Sequence, residues 1–120
     1  MDMISRGVKD AGKIEDERVV IDVLADTNLG NYITSIVRET GAETISSKMI
    51  SPVWFPSISV KTGDKVVVYS RNGERGKKSM TTGGTVYFFY RNCIKPLCDD
   101  ARKGVLLMSL SDWNFCGDRA

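Results

Sequence analysis

From Arg18 onward the chain is written in short runs of β-branched and aromatic residues, each cut by turn-forming residues before it reaches helical length. Val19-Val20-Ile21-Asp22-Val23-Leu24 stops at Asp26-Thr27-Asn28-Leu29-Gly30-Asn31, and Tyr32-Ile33-Thr34-Ser35-Ile36-Val37 stops at Glu39-Thr40-Gly41. A weaker run from Thr44 to Ile50 precedes Pro52, and Val53-Trp54-Phe55-Pro56 is a short aromatic segment between prolines. Proline cannot donate to a ladder, so that segment suits an edge or a corner. Ile58 and Val60 alternate with serines, Thr62-Gly63-Asp64 turns, and Lys65-Val66-Val67-Val68-Tyr69 returns. Arg71 to Gly84 is glycine-rich, basic and nearly free of apolar residues, which predicts a loop. Thr85-Val86-Tyr87-Phe88-Phe89-Tyr90 is the strongest strand candidate, since such side chains fit a pleated, half-buried surface. Val105 to Leu110 is the last long one. A long amphipathic stripe is missing, and only Leu97 to Lys103 leaves room for a helical turn. The pattern predicts an all-β sandwich or barrel.

A chain of 120 residues is long enough for one core and too short for two. Met1 to Glu17 reads differently from the rest, with many charges, Gly7 and Gly12 as breakers, and Ile4, Val8 and Ile14 too irregularly spaced for a helical stripe. The expected organisation is therefore a flexible N-terminal arm over 1–17 and a β domain over 18–120. Ile4, Val8 and Ile14 are then candidate contacts through which the arm docks on a neighbour. Trp54 and Phe55 are further candidate interface residues on the aromatic segment.

The order of segments from Val19 to Trp113 resembles the lamin-tail domain. The likeness is carried by Val19 to Leu24, by Gly30-Asn31-Tyr32-Ile33, and by Glu39-Thr40-Gly41-Ala42-Glu43-Thr44-Ile45. It continues with Phe55-Pro56, with Val60-Lys61-Thr62-Gly63-Asp64 leading into Lys65-Val66-Val67-Val68-Tyr69-Ser70, and with Asp99-Asp100 before Val105-Leu106-Leu107. The chain departs from that family around Lys48-Met49, where a tryptophan is usual, and at the turn asparagine, replaced by Glu39 or Thr40. The resemblance implies an immunoglobulin-like antiparallel β-sandwich with an accessory or structural role, binding proteins or nucleic acid. It carries no catalytic residues.

The residues themselves are equally poor in catalytic chemistry. Histidine is absent, which removes the commonest general base and the commonest metal ligand together. The neighbours Glu15, Asp16 and Glu17, and Asp99 with Asp100, read as solvated charge rather than as facing carboxylates. Cys93 and Cys98 could begin a zinc site, but Cys116 leaves no second pair, so no metal and no cofactor are expected. The cysteines read as small hydrophobes, free thiols, or an oxidation-formed disulfide. Arg71-Asn72-Gly73-Glu74-Arg75-Gly76-Lys77-Lys78-Ser79 evokes a phosphate loop and lacks its spacing, because Lys78 stands where the hydroxyl belongs. What remains is a basic hairpin tip in which Arg71, Arg75, Lys77 and Lys78 are candidate contacts for phosphate or an acidic partner.

With 17 basic against 15 acidic residues, the total charge does not imply nucleic-acid binding. No apolar run approaches the roughly 20 residues of a membrane span. Met1 to Arg18 lacks the order of a signal peptide, so synthesis in a reducing cytoplasm is expected. These features predict a non-enzymatic interaction module. The first expectation is an assembly component, as in a virus particle or other multi-subunit complex, with a protein partner or copies of itself. The alternative is a nucleic-acid-binding accessory domain acting through 71–78.

Overall fold

The computed structural model describes residues 1–118. Its strands are β1 (Met3–Lys9), β2 (Arg18–Val23), β3 (Thr27–Asn28), β4 (Tyr32–Gly41), β5 (Thr44–Ile45), β6 (Ile50–Trp54), β7 (Ser59–Val60), β8 (Lys65–Tyr69), β9 (Gly76–Ser79), β10 (Thr85–Tyr90) and β11 (Lys103–Ser109). A single 3₁₀ turn, Leu29–Asn31, follows β3, opened by the Asn28 side chain accepting from the Gly30 N–H. A five-stranded sheet runs β1-β2-β8-β10-β9. A second sheet is built around β4, which pairs with β11 on one side and with β5 and β6 on the other.

Alternation decides which residues meet between the sheets. On β2, Val19, Ile21 and Val23 are buried; Val66 and Val68 on β8 and Phe89 on β10 join them. The opposing sheet supplies Tyr32 and Ile36 from β4, with Val105 and Leu107 of β11 and Ile50 and Val53 of β6 packed against them. These residues form one core cluster, so the β-rich, sandwich-like reading of the sequence holds. Phe55 is 2% exposed and meets Phe89 edge-on at 5.1 Å, so it serves this core rather than a contact surface.

Several local expectations differ from what forms. Instead of a solvated arm, Met3–Lys9 is a strand paired antiparallel with β2, and Met3 is fully buried. The spacing of its apolar residues was irregular because a bulge between Ser5 and Val8, with Gly7 at φ 92°, interrupts the register. The 71–84 loop contains β9, whose residues are all exposed and so carry no apolar signature. The sheet is not wholly antiparallel, since β10 lies parallel to β8 over Val86–Tyr90. β4 runs through Glu39-Thr40 to Gly41, and residues 97–102 form bends and turns rather than helix.

Candidate functional site

Glu17 is the residue that the sequence reading missed. It sits one step before β2, in phase with Val19, Ile21 and Val23, and it is 1% exposed. That inward phase was the signal; the adjacent Glu15 and Asp16 masked it. Its Oε1 accepts from the Ser70 hydroxyl at 2.5 Å and the Leu97 N–H at 2.7 Å. Its Oε2 accepts from the Gly12 N–H at 2.9 Å and the Cys98 N–H at 3.0 Å. Burial pushes this carboxyl up, but the hydrogen bonds from Ser70, Gly12, Leu97 and Cys98 outweigh it and hold it below the usual carboxylate range. A carboxylate saturated this way is a structural clamp, joining the β1–β2 turn, the end of β8 and the 97–98 segment.

Arg91 lies nearby at the end of β10. Its Nε donates to the Ser51 carbonyl at 3.0 Å, tying β10 to β6, while Nη1 and Nη2 are buried with no hydrogen-bond partner among the described residues. Burial lowers its pKa, countered by the charges of Cys93, Cys98 and Glu17. Cys93, Cys98 and Cys116 are unbridged. The Cys98 thiol is buried and pushed up to about 11 by desolvation and by Glu17, so it is a poor nucleophile. Among the described residues, no group of three or more Cys, Asp and Glu side chains gathers to hold a metal.

The four basic residues singled out by sequence divide into two kinds. Arg71 is engaged: its guanidinium carbon lies 4.6 Å from the Tyr69 ring centre, and its Nε donates to the Glu15 carbonyl. Tyr69 in turn stacks on Tyr90 at 5.3 Å with the planes 10° apart. Gly73 rests on that Tyr90 ring so closely that an added Cβ would fall 2.4 Å from it. Arg75, Lys77 and Lys78 are exposed and form no ion pair among the described residues. Lys77 and Lys78 lie on β9, the outermost strand of its sheet, and Arg75 immediately precedes it.

Of the two aromatic candidates, Phe55 is taken by the core and Trp54 lies on the other sheet. Trp54 is 47% exposed and anchored by its indole N–H, which donates to the Gly30 carbonyl at 2.8 Å. Trp113, beyond β11 and 60% exposed, meets it edge-on with ring centres 4.8 Å apart. Trp54 stands opposite Ile33, and Ile33 opposite Met108, so the three share one face. Phe115, 81% exposed, follows on the same C-terminal segment. Ile4 is exposed on β1, Val8 packs partly on the core, and Ile14 is half-buried. The structure does not bring Ile14 to the Trp54 face; it lines a depression with Glu15, Arg71, Asn72, Cys93 and Ile94.

Fold and site together define a β-rich, sandwich-like protein with an aromatic face and a basic sheet edge. Comparison with protein-family models, with curated proteins and with solved structures finds no match to this chain. No helix among the described residues is long and apolar enough to cross a membrane.

Proposed function

We propose that the chain is a non-enzymatic assembly module that associates with copies of itself through the face bearing Trp54 and Trp113. The observation that carries this reading is the exposed tryptophan pair. Tryptophans dominate the energetics of protein interfaces, and each can bury roughly 150–250 Å² when covered. Anchoring Trp54 through its indole N–H limits the entropy lost when a partner packs on it. The lamin-tail resemblance, with its immunoglobulin-like sandwich and accessory role, points the same way. The saturation of Glu17 and the raised thiol of Cys98 favour a structural over a catalytic reading.

Size-exclusion chromatography with light scattering tests this. The measured mass should rise with concentration above that of one chain, and Trp54→Ala with Trp113→Ala should return it to a monomer with its fold intact. A mass that stays at one chain over the accessible concentration range would sink the proposal, as would a double variant that associates unchanged.

A further inference from the structure

We infer that the free edge of β9 is a docking strand for an acidic, extended segment of another polypeptide, which joins the five-stranded sheet beyond β9. This surface is separate from the Trp54 face and independent of it. β9 pairs only with β10, so alternate N–H and C=O groups of Gly76–Ser79 point away from the sheet without a ladder partner. The opposite edge of the same sheet is blunted, since β1 carries the bulge between Ser5 and Val8 and also lies against β11. In the second sheet, β6 carries Pro52 and a register shift against β4. β9 has neither a bulge nor a proline, and its guards, four-residue length and Lys77 with Lys78, turn away a like-charged strand but not an acidic one.

An added strand would send its side chains alternately to the two faces of the sheet, and β9 is flanked by a depression on each. On the core side, a depression of about 280 Å³ has Ile58, Tyr87 and Phe89 as its apolar lining and Arg75 and Lys77 as its cations. On the outer side, one of about 380 Å³ has Met80, Val86 and Phe88 with Lys78. The register agrees: Lys77 stands opposite Tyr87, and Lys78 opposite Val86. Each depression thus offers an apolar wall and a positive charge to every second residue of the incoming strand.

Charge selects the occupant. Arg75, Lys77 and Lys78 are unpaired among the described residues, and Glu74 is the single acid in the 71–79 segment. A second copy of β9 would set lysine against lysine, which disfavours self-pairing and leaves an acidic strand favoured. Single-stranded nucleic acid shares the charge but needs open aromatic surfaces for its bases. Here Tyr69 is stacked on Tyr90 beneath Arg71, Tyr90 is covered by Gly73, and Tyr87 and Phe88 are half-buried walls of the depressions, with Phe88 stacked beside Tyr69.

The test uses the full chain and a fluorescently labelled short peptide of alternating glutamate and valine, followed by polarisation at low salt. Binding is expected, and the charge-reversed variant K77E/K78E, whose thermal melt should match wild type, should weaken it by about tenfold or more. Because the peptide can also be altered, the outcome does not depend on the variant folding. Backbone N-methylation at every second peptide residue should abolish binding in one of the two phases, since one phase faces β9. Undiminished binding of both methylated peptides overturns strand addition, as does failure of the parent peptide to bind. A single-stranded oligonucleotide that displaces the peptide with equal strength would instead show a polyanion surface.

Discussion

Glu17 concentrates more of the fold's polar chemistry than any other side chain described. A buried carboxylate that accepts from Gly12, Ser70, Leu97 and Cys98 stabilises the fold only while it is ionised. Its folded-state pKa is depressed, so its contribution is fully present above the ordinary value of 4.5 and is lost as pH falls through the folded value. Acid titration should therefore show the melting temperature dropping below about pH 4.5. Glu17→Gln should cost about 2–3 kcal/mol at neutral pH, because the amide nitrogen faces donors where the carboxylate accepted. The difference between the two proteins should shrink as pH falls, and a gap that stays constant would remove the ionised clamp. The same burial governs the thiols. At mildly alkaline pH an alkylating agent should label exposed Cys116 first and leave Cys98, pushed up to about 11, unmodified until the protein unfolds, as peptide mass mapping can read.

At the scale of elements, β9 is held by a neighbour rather than by its own composition. Gly73 is packed on the Tyr90 ring, itself stacked on Tyr69, so the segment leading into β9 is clamped to the outer face of the sheet. Gly73→Ala places a methyl where a ring already stands, and the ring cannot swing freely from its stack. The substitution should cost about 1–3 kcal/mol and, in hydrogen-exchange measurements, loosen Gly76–Ser79 before the remaining strands. Equal protection of β9 in wild type and variant would show that the clamp does not hold this edge. β9 also marks where the sequence was illegible. Strands that bury side chains, such as Val19–Val23, Lys65–Tyr69 and Thr85–Tyr90, announced themselves as runs of β-branched and aromatic residues. Gly-Lys-Lys-Ser buries nothing, so it differs from a loop only through its partner β10. The parallel pairing of β10 with β8 was hidden for a related reason, because alternation assigns faces and leaves neighbours open. The place of Trp54 on an edge strand was legible from its flanking prolines, whereas its pairing with Trp113 depends on chain reversal across the whole fold.

For the whole molecule, the N-terminal strand is the informative piece. Charge and glycine made Met1 to Glu17 read as separable, yet Met3 lies fully inside the core and β1 touches β11 of the opposite sheet as well as β2. β1 thus closes one side of the sandwich, and the backbone of Leu24 is fastened to it through a hydrogen bond to the Asp2 carbonyl at 2.7 Å. Removing a buried methionine side chain alone costs about 2–5 kcal/mol, a large share of the 5–15 kcal/mol by which ordinary domains are stable. Deleting Met1–Lys9 removes that side chain together with the β1–β2 ladder, and it leaves an inward-facing flank of β11 open to water. The truncated chain should lose its cooperative melt, bind a hydrophobic dye and show collapsed near-ultraviolet dichroism, while Met3→Ala should melt cooperatively at a lower temperature. An arm that merely trailed from the domain would leave both proteins close to wild type. A truncated chain that melts cooperatively within a few degrees of the full one would therefore contradict the placement of β1 in the sheet.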